Sequence, residues 1–264
     1  MGGPGWRAGA HGVRRGIVTT EVLVAPAKLT LSLRMVGLRD DGYHLIDAEM
    51  VALDLADELV VGPPTGDPGT LNVEDHTGGV GLTIPGGPDD LVMRALHLAG
   101  RTADVVVRKV VPAGAGLGGG SADAAAVLRW AGFTDLVAAA GIGADVAFCL
   151  TGGRARVTGI GEIVEPLPFE ERVFTLLTPP VGCPTPAVYR RWDELGGPIG
   201  DHGNDLEPAA VDLVPELARW RDVLGDATGR RPRLAGSGST WFVEGEYPGD
   251  GRRVVRTIPP TAPA

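Results

Sequence analysis

The stretch VPAGAGLGGGSADAAAVLRWAG, residues 111–132, places five glycines between Pro112 and Ser121 and then four alanines by residue 126. Glycine inside a helix costs roughly 1 kcal/mol against alanine, so the switch marks a boundary, with loop before it and helix after it. Ser121 stands where an N-cap belongs. Asp123 falls in the first turn of the predicted helix, 121–131, where a negative charge suits the helix dipole. A flexible loop running into a helix N-terminus collects backbone N–H groups that point one way. That is an anion site, and phosphate is the commonest anion at such sites. A plain flexible turn is the alternative. If the glycines serve phosphate, a side chain at Gly118 or Gly119 harms nucleotide binding more than folding.

Two familiar phosphate loops are excluded by the letters. A Walker loop needs lysine before its Ser or Thr, and Gly120 holds that place. GAGLGG (114–119) fits G-x-G-x-x-G, but Ala138 to Ala140 stand where a dinucleotide fingerprint wants an acidic residue. The whole chain narrows the choice further. Its 264 residues suffice for one large domain or two moderate ones with real cores, and 44% hydrophobic with 22% charged residues suits a globular protein. A net charge of −9 argues against nucleic acid as a partner. An anionic small molecule stays compatible with it, because a local nest of N–H groups outweighs a distant negative field. No apolar run reaches the roughly 18 residues of a membrane span, so no membrane partner is expected. Cys149 and Cys183 lie in unlike contexts without metal-type spacing and read as buried or half-buried thiols in a reducing compartment. A cytoplasmic protein is expected, with the Gly-rich residues 1–20 as a disordered leader.

Along the chain the hydrophobic period alternates between strand and helix. EVLVAPAKLTLSLRMVG reads as a strand, RDDGY as a hairpin turn pivoting on Asp41-Gly42, and HLIDAEMVALDLADELVVG as strand, break and strand. TLNVED and GLTIP are short strands. DDLVMRALHLAG is a helix capped by Asp89 or Asp90, and ADVVVRKVV is the strand leading into the glycine loop. A short helix covers 134–141. After a soft boundary near 155–172 come a buried strand RVFTLLTPP, helices around 186–195 and 205–224, and a β–turn–helix ending near RLAGSGSTWFVEG. The alternation says mixed α and β, and the pattern alone does not give which strands pair.

PAGAGLGGGSADAAAVL closely resembles the ATP-phosphate loop of the GHMP kinase superfamily, which joins galactokinase, homoserine kinase, mevalonate kinase and phosphomevalonate kinase. APAKLTLSLRMVGLRDDGYH, DLVMRA, GADVAF, PTPAVY, NDLE and LAGSGST then resemble, in order over about residues 21–245, the motifs of the 4-diphosphocytidyl-2-C-methyl-D-erythritol kinase family. The resemblance implies an α+β fold class, the two-domain GHMP kinase fold. Residues 21–160 would form an N-terminal, ribosomal-S5-domain-2-like ATP-binding domain, and 161–264 a ferredoxin-like C-terminal domain. It implies ATP as phosphoryl donor, Mg2+ arriving with ATP rather than on a dedicated protein metal site, and a monomer or weak homodimer. The activity implied is phosphorylation of a hydroxyl of 4-diphosphocytidyl-2-C-methyl-D-erythritol in non-mevalonate isoprenoid biosynthesis. A homoserine- or mevalonate-type kinase and a catalytically retired nucleotide-binding protein are the alternatives.

Residue by residue, a kinase acting on an alcohol needs a carboxylate for the hydroxyl proton and a cation for the attacking oxygen and phosphoryl charge. Asp145, flanked by apolar residues, and Lys28, the one charge in an apolar strand, match the family's catalytic pair; a helix cap and a snorkelling lysine are the plain readings. The ATP loop comprises Pro112, Ala113, Gly114, Ala115, Gly116, Leu117, Gly118, Gly119, Gly120 and Ser121. On the substrate side, Tyr43 and Tyr189 offer flat faces to an aromatic base, His44 a hydrogen bond to a cytosine edge, and Thr185 a polar contact. Asn204 reads as a cap for the helix after it. Thr30 stands where the family has a substrate-binding Asn, and Asp90 where it has an Asn near the nucleotide base. The segment between the loop and GADV is about ten residues shorter than usual.

Overall fold

The computed structural model describes residues 20–80, 87 and 89–260. The predicted strand GLTIP and the leader, save Thr20, lie outside them. A long hairpin of β1 (Glu21–Leu38) and β2 (His44–Gly62) is the spine of the molecule. Its turn pivots on Gly42, at φ 87°, where a residue with a side chain would be strained. The whole inner edge of β1 pairs with β2. The other edge of β2 is shared, with β5 (Arg154–Gly159) along 46–51 and β4 (Asp104–Lys109) along 58–62. The parallel strand β3 (Leu71–Asp75) beside β4 and β6 (Ile163–Pro166) beside β5 complete a six-stranded sheet.

β2 runs as one strand, and the predicted break survives as a bulge. Between the pairs Pro26–Ala56 and Lys28–Ala52, Ala27 alone faces Leu53, Asp54 and Leu55. Bulges bend a strand and re-aim its side chains, and this one sits beside Lys28.

Four helices cover one face of this sheet. α1 (Leu91–Leu98) is capped by Asp90, whose carboxylate accepts from Val92 N at 2.8 Å. α2 (Gly119–Trp130) follows the glycine loop, α3 (Leu136–Ile142) is capped by Asp135, and α4 (Val146–Thr151) follows Asp145. Residues 122–128 of α2 are all buried, because the helix is wedged among β1, α1 and α4. Alanine is what lets a helix approach neighbours on every side, so the Ala run is packing as much as propensity. α2 begins two residues earlier than predicted. Its N-cap is Gly118, left-handed at φ 67°, and Ser121 lies inside the helix. Asp123 likewise leaves the first turn and is buried in an ion pair.

The second sheet is wholly antiparallel, in the order β10 (Arg252–Arg256), β7 (Val173–Leu177), β9 (Trp241–Glu244), β8 (Arg233–Leu234). Counted along the chain that is 4-1-3-2, the ferredoxin-like arrangement. Its second crossover, residues 245–251, is a loop instead of a helix. Helices α5 (Thr185–Glu194), α6 (Glu207–Leu213) and α7 (Glu216–Thr228) pack on it. The single helix expected over 205–224 is therefore two. Pro215, with no N–H to donate, separates them. The β–turn–helix expected near LAGSGST is instead a turn between β8 and β9. Leu29, Leu53, Leu55, Phe174, Leu176 and Phe242 form a core joining the two sheets.

Candidate active site

Lys28 is buried on β1, beside the bulge, and its Nζ lies 3.2 Å from Oδ2 of Asp145. The same ammonium donates to Thr30 Oγ1 at 3.0 Å. Thr30 thus holds Lys28, a role its placement as a substrate ligand did not anticipate. Asp145 occupies the N-cap position of α4, yet its side chain makes no capping bond, so the carboxylate is free for the cleft. The ammonium and carboxylate sit at the floor of a cleft of about 850 Å³. Every loop position from Pro112 to Ser121 lines that cleft except Leu117, whose side chain is turned into the core between the sheets.

The loop is fastened on both sides. Lys28 N donates to Leu117 O at 2.9 Å, Thr240 N to Ala115 O at 3.1 Å, and Cys183 N to Gly114 O at 3.2 Å. A Cβ on Gly116, at φ 77°, would stand 2.1 Å from Ala235 O, so this glycine is required by the backbone of the late Gly-rich turn. Asn204 secures that turn by donating to Leu234 O at 2.9 Å and Gly236 O at 2.7 Å. It also accepts from Leu206 N, and the N-cap of α6 is Leu206, so Asn204 ties two loops together where a helix cap was expected.

The far side of the cleft carries the aromatic residues. His44 Nε2 meets Asp193 Oδ1 at 2.7 Å, and its ring lies 5.2 Å from that of Tyr189 and 5.5 Å, edge-on, from that of Trp192. Burial pushes the Tyr189 hydroxyl above its ordinary range. Tyr43 is exposed at the mouth, under the Arg39 guanidinium. Thr185 Oγ1 and Ser237 Oγ are 2.9 Å apart. Thr185, Tyr189 and Asp193 repeat at four-residue spacing, which puts them on one face of α5.

Comparison with known proteins decides the lineage. Residues 90–153 match the family model for the GHMP kinases N terminal domain. The 4-diphosphocytidyl-2-C-methyl-D-erythritol kinase of Paracoccus denitrificans (strain Pd 1222) is 39% identical over 237 residues, covering 83% of this chain and 84% of its own. The enzyme of that name from Dinoroseobacter shibae is 33% identical over 89% of this chain and 88% of its own. A crystal structure of 4-(cytidine 5'-diphospho)-2C-methyl-D-erythritol kinase superposes with a TM-score of 0.69 at 30% identity, covering 89% of this chain and 98% of that one. The chain belongs to that kinase family. A homoserine kinase from Cytophaga hutchinsonii, 17% identical with a TM-score of 0.58, shares the fold. The architecture is the two-domain GHMP kinase fold, the chain is a small-molecule kinase, and the family implies ATP as its phosphoryl donor.

Several residues of the kinase's cleft escaped the sequence. Asp193 and Arg190 line it beside Tyr189. For Asp193 the signal was the four-residue spacing from Thr185, hidden because RRWDE reads as a solvated helix end. Behind the loop, Lys109 Nζ is held by Asp57 and, at 2.7 Å, by Asp123, all three buried. Asp57 also accepts from Val110 N at 2.5 Å and Val111 N at 2.8 Å. Burial pushes Asp123 up to about 7, against the pull of the Lys109 ammonium. Both cysteines are free and buried, which raises Cys149 to about 12 and Cys183 to about 11. They are inert thiols at neutral pH. Among the described residues no group of three or more His, Cys, Asp and Glu stands ready for a metal, and no described helix is long and apolar enough to cross a membrane.

Proposed function

We propose that this kinase transfers the γ-phosphoryl group of ATP to a free hydroxyl of 4-diphosphocytidyl-2-C-methyl-D-erythritol, a step of non-mevalonate isoprenoid precursor synthesis. The observation that carries the reading is the Lys28–Asp145 pair facing the glycine loop across one cleft. Asp145 accepts the hydroxyl proton as the new O–P bond forms. Lys28 holds the attacking oxygen and the charge on the phosphoryl group, and the bond to the leaving ADP breaks. Backbone N–H groups at the start of α2 hold the phosphates. Magnesium, when bound with ATP, would neutralise phosphate charge; it takes hard oxygen donors, and Ser121 of the loop is one that lines the cleft.

The cytosine stacks against Tyr189 and Tyr43 and is read by His44, and Thr185 takes a polar contact. Arg190 is the cation that a diphosphate linker meets. In this reading the ATP-binding domain is the first sheet with its helices, running through β6 to Pro166 and not ending at 160, and the second sheet with α5–α7 closes the substrate side, in a cytoplasmic monomer or weak homodimer. The test is ATP consumption by the purified protein with the cytidine substrate, homoserine and mevalonate in turn, products identified by phosphorus NMR. Turnover of the cytidine compound alone supports the reading. Turnover of homoserine or mevalonate moves the chain to a sibling activity, and turnover of none makes it a retired nucleotide-binding protein.

A further inference from the structure

Lys28 and Lys109 are the only lysines in the sequence; every other basic residue except histidine is arginine. A chain that uses arginine wherever a surface cation suffices has kept lysine at two positions, and both are about 4% exposed. Both press on the same stretch of loop. A Cβ on Gly118 would come 2.7 Å from Lys28 Cγ, and one on the next residue, Gly119, would come 3.0 Å from Lys109 Nζ. Gly118 and Gly119 line the cleft, whereas Lys109 does not. The second ammonium therefore lies directly behind the backbone that faces the phosphates.

The geometry points to Lys109 as a positioning residue for the phosphate-binding loop, clamped by Asp57 at the loop's entry and Asp123 on its helix. Asp57 fixes the last residues before the loop through Val110 N and Val111 N, and Asp123 lies one turn into α2. Lys109 joins the two, so the loop's ends are held at one spacing by one compact cation. A guanidinium is wider, planar and unable to place all its donors against two carboxylates in that space, which explains why arginine is absent here. Asp123 Oδ1 is buried and unpartnered. The clamp is therefore completed through a single oxygen of that carboxylate, and it depends on that bond.

The inference rests on the reading that the loop holds ATP. Its test is Asp123→Asn, which keeps shape and replaces the carboxylate with a neutral amide, with Lys109→Arg beside it and Leu224→Ala, in the C-terminal core, as a control for lost stability. The expected result is an ATP KM at least tenfold higher in Asp123→Asn and Lys109→Arg, with the alcohol KM within about twofold of wild type. The ATP-induced rise in melting temperature should shrink in both. Leu224→Ala should lower the melting temperature and leave the ATP KM unchanged. Should Lys109→Arg fail to fold, Asp123→Asn decides by the same split. Unchanged ATP KM and thermal shift in Asp123→Asn would overturn the inference alone. Wild-type protein that shows no thermal response to ATP would sink the reading of the loop and the inference with it.

Discussion

Gly118 has a φ of 67° and space for a Cβ only inside Lys28, whose Cγ would be 2.7 Å away. The sequence suggested that glycine here makes room for phosphate. The structure gives a different reason, since the side chain displaced by a substitution is the lysine paired with Asp145. Gly118→Ala is therefore expected to lower kcat at saturating ATP by tenfold or more, with most of the ATP-induced thermal shift retained. Gly119 is not in the left-handed region, and its Cβ space is taken by Lys109 and Val111, so valine there disturbs packing as well as nucleotide. Gly120 is the cleaner probe of the proposed anion site, because a Cβ would be 3.7 Å from Leu91 Cδ1 in ordinary contact. For the acid–base step, Asp145→Asn keeps shape but cannot accept a proton. Loss of more than about 99% of turnover with ATP affinity nearly intact is expected, in line with the 10²–10⁴-fold scale of general-base catalysis. Retention of most of the rate would make Asp145 a structural residue.

Among the elements, those with clean periodicity were legible. β1, the hairpin turn, α1 with its Asp90 cap, and β7 stand where alternation and capping residues put them. What failed was whatever depends on contact at a distance. The start of α2 is set by the left-handed Gly118 over Lys28 and not by a capping side chain, so Ser121 misled. Asp123 looked like a dipole partner because its true partner, Lys109, is fourteen residues back, at the end of strand β4. Pro215 carries a readable signal for the break between α6 and α7, which the reading of one helix over 205–224 left unused. On α5 the sequence revealed Thr185 and Tyr189, and the helix face they define adds Arg190's neighbour Asp193 to the cleft. Base–aromatic stacking contributes about 1–3 kcal/mol, or roughly ten- to hundredfold in affinity. Tyr189→Ala should accordingly raise the KM of the cytidine substrate by that factor and leave the ATP KM within about twofold. Equal weakening of both would mark a packing defect of α5.

At the scale of the molecule, the cleft exists because two sheets are joined at its base. Leu29, Leu53 and Leu55 from the hairpin meet Phe174, Leu176 and Phe242 from the second sheet in one buried cluster, with the Phe174 and Phe242 rings edge-on at 5.8 Å. The chain also returns across the seam. At the end of β10 Arg256 N donates to Asp54 Oδ1 at 2.8 Å, and beyond it Thr257 pairs with Leu53 and Ile258 N donates to Ala52 O at 3.0 Å. These bonds lie at the β2 bulge beside Lys28, so separating the sheets would expose the joint core and loosen the strand that carries Lys28. Two-domain proteins commonly unfold in two steps, but a shared core of this kind couples the units. Calorimetry of the protein should therefore give one transition whose van't Hoff and calorimetric enthalpies agree. Phe174→Ala removes a fully buried ring from the seam, a loss of about 3–5 kcal/mol, and should lower that single transition by on the order of 10 °C without splitting it. If the variant instead melts in two separate steps with the higher one unshifted, the sheets are independent and the seam is only a surface contact.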